Sequence, residues 1–229
     1  GTEVKKWDGT SWSTLGTGFN NIVRSLYVDR AGNLYAGGDF TNANGEYYVA
    51  KWDGTAWTEL GGAVDSLING STIALTSDTA GNIYAAGTIY NSAFNFCVAK
   101  WDGTNWSEVG GPNSSFYAST NFNGIYALET DASGNLYASG DFYNANGNCF
   151  VAKWDGTSWS ELGGAGNSPL LHSYFGINDI MIDSLGNVYA VGDFSNASFY
   201  NYVAKWDGTN WSEVGAGGPP IHGHRYGDL

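Results

Sequence analysis

Cysteine and positive charge are scarce in this chain, and each shortage excludes something. Two cysteines in 229 residues, Cys97 and Cys149, cannot build a disulfide framework. Nine Lys and Arg against 22 Asp and Glu leave a formal net charge of −13. A nucleic-acid partner, which needs clustered cations to displace counterions, is excluded on that balance. An anionic membrane surface would repel the chain as well. No run approaches the length of apolar sequence that spans a bilayer, so membrane insertion is not expected. Charged residues of both signs make up only 14%. The chain is nevertheless not of disordered type, because its aromatic share of 16% can bury a great deal of surface. No signal peptide is visible, and the start at Gly1-Thr2, without Met, is read as a processed or trimmed chain, which is compatible with prior removal of a signal.

What is abundant is repetition. Trp-Asp-Gly-Thr begins at Trp7, Trp52, Trp101, Trp154 and Trp206. Each is followed five positions on by a second tryptophan: Trp12, Trp57, Trp106, Trp159 and Trp211. These ten are every tryptophan in the chain. A second string, Gly-Asn-aliphatic-Tyr, begins at Gly32, Gly81, Gly134 and Gly186, four times and not five. A period of this length with no helical periodicity indicates one supersecondary unit per copy.

The unit reads as four strands. In the first full copy these are Val23–Asp29, Asn33–Phe40, Tyr47–Trp52 and Thr55–Leu60. Asp29 and Gly32 mark the first turn, Asn42 to Gly45 the second, and Asp53-Gly54 a two-residue hairpin loop. That loop length sets Trp52 opposite Thr55 and Ala50 opposite Trp57. One buried indole is worth roughly 4–5 kcal/mol gross, so all ten tryptophans are assigned to packing. Trp57, Trp106 and Trp159 are expected to be more than about four-fifths buried between neighbouring units.

Four-stranded antiparallel units of this period are blades, and the fold class is all-β: a β-propeller-like array of four full repeats plus an N-terminal half repeat. The expected boundaries are 1–16 for the half blade, 17–62, 63–111, 112–164 and 165–215 for blades 1 to 4, and 216–229 for a non-repeat tail. The run from Gly134 through Asp141-Phe142, followed by Val151-Ala152-Lys153-Trp154-Asp155-Gly156-Thr157-Ser158-Trp159, resembles the repeats of secreted bacterial propellers. The Gly37-Gly38 pair and the aromatic-Asp turn followed by Trp are similar to kelch repeats, and Asp-x-x-Gly-Asn-x-Tyr resembles the NHL class. The resemblance covers the chain to about Gly215 and implies a secreted or cell-surface location. It speaks to fold far more than to function.

A catalytic site is singular, whereas structural motifs repeat. Asp29, Asp78, Asp131 and Asp183 recur at one turn, Asp53, Asp102, Asp155 and Asp207 at another, and Lys51, Glu59 and their counterparts on strands three and four. These are assigned to turns and sheet pairing, and no catalytic residue is proposed. His172, His222 and His224 do not repeat, but a metal needs a third ligand and none is evident. Asp39, Asn42 and Asn44, repeated as Asp141, Asn144 and Asn146, hint at a calcium loop. Their spacing is wrong and no bidentate Glu follows, so they are read as turns and no metal or cofactor is expected. Cys97 and Cys149 sit one position out of phase on strand three of neighbouring copies, so they either face each other across one interface or face away. Ser66, Thr79 and Ser184 lie in short strings resembling bacterial O-glycosylation sites, and Asn69, Asn105, Asn113, Asn196 and Asn210 begin Asn-x-Ser sequons.

The expected function is a non-catalytic extracellular interaction or adhesion scaffold, with a protein or further copies of itself as partner. The half copy at Val4–Leu15 lacks its own strands one and two, and three arrangements fit it. They are a piece of a longer propeller, a ring closed on four blades with the hairpin packed outside, or head-to-tail self-assembly in which another chain completes the half blade, the arrangement preferred here. The alternative is a lectin with shallow sites repeated around the array, its partners glycans. The variable loops, which differ in length and sequence, favour the scaffold.

Overall fold

The computed structural model describes residues 1–61, 67–111, 124–144, 146–163, 176–196 and 201–215. Every regular element among them is a β-strand. A two-stranded hairpin, β1 (Lys5–Trp7) and β2 (Trp12–Thr14), comes first. Blade 1 follows as β3 (Val23–Val28), β4 (Leu34–Gly38), β5 (Ala50–Trp52) and β6 (Trp57–Glu59). Blade 2 is β7 (Thr72–Ser77), β8 (Ile83–Gly87), β9 (Ala99–Trp101) and β10 (Trp106–Glu108). Blade 3 is β11 (Ile125–Thr130), β12 (Leu136–Gly140), β13 (Ala152–Trp154) and β14 (Trp159–Glu161). Blade 4 is β15 (Ile177–Ile182), β16 (Val188–Gly192), β17 (Ala204–Trp206) and β18 (Trp211–Glu213). Each blade is an antiparallel meander in chain order, so four full repeats and a half repeat make a propeller-like array.

The first strands of successive blades lie beside one another, β3 by β7, β7 by β11 and β11 by β15. The apolar core is therefore divided among the seams. Tyr35 and Val49 of blade 1 meet Leu75, Ile83 and Ala85 of blade 2 in one cluster. Ala74, Tyr84 and Val98 of blade 2 meet Ile125, Leu128 and Leu136 of blade 3 in the next. A third joins Ala127, Tyr137 and Cys149 to Ile177, Ile180 and Val188. A smaller one holds Phe40, Ala36 and Ala50 against Phe19 and Trp57.

Strand two ends at a glycine for a steric reason. A Cβ on Gly38 would lie 2.1 Å from the Ile22 carbonyl oxygen, and on Gly87 2.0 Å from that of Ser71. No other residue fits so close an approach of two backbones. The strand stops there, which is why it is shorter than Asn33–Phe40. Beside it each first strand carries a register shift, between Val23 and Ser25 in blade 1.

The hairpin register differs from the expected one. Trp52 pairs with Trp57 and Ala50 with Glu59, and the same pairing holds in the other blades and in the N-terminal hairpin. The loop is four residues long, closed by Asp53 N–H donating to the Ala56 carbonyl at 3.1 Å. The aspartate causes this. Asp53 Oδ1 accepts from the backbone N–H groups of Thr55 and Ala56 and from the Thr55 hydroxyl, so the side chain supplies the bonds that a tighter turn would have made. The two indoles of each hairpin consequently lie side by side, with centroids 5.3 Å apart at Trp52–Trp57 and 5.6 Å at Trp101–Trp106.

Candidate functional site

One repeated unit of this chain lies at the seam between blades. The indole N–H of each strand-four tryptophan reaches back across it to a backbone carbonyl. Trp57 donates to Leu15 at 2.8 Å, Trp106 to Leu60 at 2.9 Å, Trp159 to Val109 at 3.1 Å and Trp211 to Leu162 at 3.0 Å. The residue after each acceptor is a glycine with positive φ, among them Gly16, Gly61 and Gly163. A Cβ on Gly61 would lie 2.8 Å from Trp106, and one on Gly16 2.9 Å from Trp52. The carbonyl, the glycine and the indole pair form one repeated joint. Trp106 and Trp211 are buried in it, Trp106 as expected, whereas Trp57 and Trp159 are of intermediate burial. Trp52, Trp101, Trp154 and Trp206 are also partly exposed. Trp7 and Trp12 depart from the packing role altogether: they touch each other at 5.6 Å and stand 49% and 66% exposed. Among the described residues, no blade covers the hairpin face that carries them.

The first turn of each blade is a second repeated unit. Asp29 accepts from the N–H groups of Ala31 and Asn33, from the Asn33 amide and from the Tyr35 hydroxyl. Asp78, Asp131 and Asp183 hold the same set. Burial alone would raise the Asp131 carboxyl, but the bonds from Asn135, Tyr137 and Ser133 outweigh it and leave it below the usual range. The paired tyrosine moves the other way. Burial and the facing carboxylate push Tyr35 up to about 12. Lys51, Lys100, Lys153 and Lys205 each sit over one of these tyrosine rings, 5.4 to 5.9 Å from the centroid.

Sequence reasoning missed a third unit, the pairing of the second turn with strand four. The Asn42 amide donates to Glu59, Asn91 to Glu108, Asn144 to Glu161 and Asn196 to Glu213. The constant separation of 17 residues was the signal available for it. The weak metal candidates fall within this arrangement. Asn42 Oδ1 accepts from Asn44 and Glu46 N–H, and Asn144 Oδ1 from Asn146 and Asn148 N–H, so both are turn caps. Asp39 takes Arg24 in a bidentate pair at 2.6 Å and the Ser71 hydroxyl at 2.5 Å. Asp141 is buried with its Oδ1 unpartnered. Among the described residues no three His, Cys, Asp or Glu side chains group as metal ligands.

Cys97 and Cys149 are buried and not joined in a disulfide, and they belong to different core clusters, so the face-to-face alternative does not hold. Burial pushes the Cys97 thiol up to about 12. Thr79 and Ser184 lie in exposed turns. Ser66, Asn113, His172, His222, His224 and the tail 216–229 lie outside the described residues.

No protein-family profile matches the chain, and no curated protein matches it significantly. Its fold is similar to solved structures. PorZ, described as an essential surface component of the type-IX secretion system of Porphyromonas gingivalis, aligns with a TM-score of 0.56 at 15% identity over 96% of this chain. The chain spans 30% of the length of PorZ. Aleuria aurantia lectin aligns in two complexes, one with alpha-methyl-L-fucoside (TM-score 0.53, 16% identity) and one with Fucalpha1-6GlcNAc (0.52, 18%). These cover 99% and 98% of this chain and 72% of the lectin. At these identities the likeness is one of fold: an all-β array of repeated blades.

Proposed function

We propose that this chain is a non-catalytic interaction scaffold that works outside the cell or on its surface. One observation carries the reading. Most of the described carboxylates occur in repeated sets, and the turns and sheets already use them. Four aspartates hold Asn-Tyr turns, five more cap the Trp-Trp hairpins, and four glutamates are tied to asparagines. Carboxylates committed in this way are poor general acids or bases, and what remains for a partner is the shape and edge of the array. The extracellular placement draws support from the fold it shares with a bacterial surface component.

Carbohydrate binding is the second reading. Trp52, Trp101, Trp154 and Trp206 present partly exposed indoles at four equivalent positions, which suits stacking on sugar rings. The fold likeness to a fucose-binding lectin fits this reading without carrying a site. Titration calorimetry with fucose and a glycan array separates the two. The scaffold reading expects no saturable monosaccharide binding, and binding with a stoichiometry that follows the blade number would replace it with the lectin. Multiple turnover on a panel of glycoside, ester and lactone substrates would overturn the non-catalytic assignment.

A further inference from the structure

The two ends of the array carry the two halves of the joint that links its blades. Leu26 on β3 is 52% exposed, while its counterparts Leu75, Leu128 and Ile180 are 7%, 6% and 3% exposed. Those three are covered by the blade before them. Val28, two positions along the same face, is exposed too, where its counterpart Ser77 is buried. The opposite end shows the complementary face. Met181 on β15 is 59% exposed, whereas its counterpart Thr76 is buried and Tyr27 reaches the next blade, with its hydroxyl 3.0 Å from Ser77 Oγ. Val191 is exposed where Ala86 and Ser139 are buried.

The indole–carbonyl series is open in the same way. Trp12 stands where Trp57, Trp106, Trp159 and Trp211 stand, but among the described residues no carbonyl accepts from its indole N–H. Val214 stands where Leu15, Leu60, Val109 and Leu162 stand, and it is exposed whereas Val109 and Leu162 are buried. Gly215 follows Val214 with φ +78, and a Cβ there would meet nothing within 4 Å. The same Cβ on Gly16, Gly61 or Gly163 would meet an indole. A donor without an acceptor at one end thus matches a vacant acceptor position at the other.

We infer that a second copy of this chain docks head to tail, its Trp7–Trp12 hairpin seated against blade 4 with the Trp12 indole N–H on the Val214 carbonyl. The contact continues the seam already repeated between blades, which is why the occupant is a copy and not an unrelated protein. It is heterologous, because each end presents only one half of the joint, so the contact repeats from copy to copy. Above the hairpin, Leu26 and Val28 of one copy then face Met181 and Val191 of the other across the space of the two strands that the hairpin lacks. This rests on the scaffold reading and names its partner.

The test uses the full chain and two variants, Trp12→Ala at the head and Val214→Arg at the tail. Both positions are solvent-facing, and circular dichroism and thermal melting check that both variants fold like the parent. Light scattering should show the mass of the parent rising with concentration and each variant remaining a monomer. An equimolar mixture of the two should form a one-to-one dimer that grows no further, since one good head meets one good tail. Trp12→Phe, which keeps a ring and loses the N–H, should weaken association about tenfold. A parent that stays monomeric to its solubility limit overturns the docking, and so does a folded mixture that stays monomeric or variants that assemble like the parent. Foreign ligands and turnover are read in separate assays, so this failure would leave the scaffold reading standing.

Discussion

Trp57 donates its indole N–H to the carbonyl of Leu15, 2.8 Å away and 42 residues earlier in the chain. The bond ties blade 1 to the N-terminal hairpin with the same joint that ties each later blade to its predecessor. Solenoid logic follows: stability is carried largely by nearest-neighbour seams, and substitutions should be felt according to whether a neighbour is present.

Trp106→Phe keeps a buried ring but leaves the Leu60 carbonyl without its donor. A cost of about 1–3 kcal/mol is expected, the usual penalty for an orphaned buried polar group. Trp12→Phe, at an exposed site, should be within about 0.5 kcal/mol of neutral in the dilute monomer. Urea denaturation of both variants measures the difference.

Gly61→Ala and Gly215→Ala share the backbone penalty of a left-handed residue, since both glycines have positive φ. Only the first also drives a methyl group into an indole, 2.8 Å from Trp106. Gly61→Ala should therefore lower the melting temperature clearly more than Gly215→Ala. Equal losses would mean that the seam does not close on Gly61.

Removing a turn carboxylate strips four bonds at once. Asp131→Ala leaves the N–H groups of Ser133 and Asn135, the Asn135 amide and the Tyr137 hydroxyl to find water or go unpaired. The expected loss is about 1–3 kcal/mol. Asp131→Asn, which retains an acceptor oxygen, should lose less.

Acid should unfold the chain through its aspartates. Asp29, Asp78, Asp131, Asp183, Asp53, Asp102, Asp155, Asp207, Asp39 and Asp8 all lie below the usual carboxyl range. Their unfolded forms bind protons first, so the stability they contribute is complete above the ordinary carboxylate pKa and is lost as pH falls through the lower native values. Glu129 and Glu161, raised chiefly by burial, act in the opposite direction but are two against ten. The melting temperature should hold near neutrality and fall steeply below about pH 4. A melting temperature that rises on acidification would contradict this assignment.

Blade count, strand order and the half copy were legible in the sequence because they rest on strings that recur: Trp-Asp-Gly-Thr, Gly-Asn-aliphatic-Tyr and the second tryptophan. The hairpin register was not. Asp-Gly is a strong two-residue turn signal, and only the three bonds that Asp53 accepts lengthen the loop to four residues. The Asn42–Glu59 pairing was hidden for another reason: its residues lie on different turns, and only their constant separation of 17 links them. The exposure of Trp7 and Trp12 could not be read from composition, because a tryptophan is buried only where a neighbour exists to bury it, and that is a property of the array.

The array is held by an indole–carbonyl ladder that is occupied at each described seam and open at its first rung. Hydrogen exchange of the indole N–H groups, followed by nuclear magnetic resonance on dilute monomer with assigned tryptophans, tests this most directly. Trp57, Trp106, Trp159 and Trp211 should exchange slowly, with Trp106 and Trp211, the more buried pair, slowest, and Trp12 should exchange at the rate of an exposed indole. A Trp12 signal as protected as Trp106 in the monomer, or a Trp106 signal as fast as Trp12, would contradict the account.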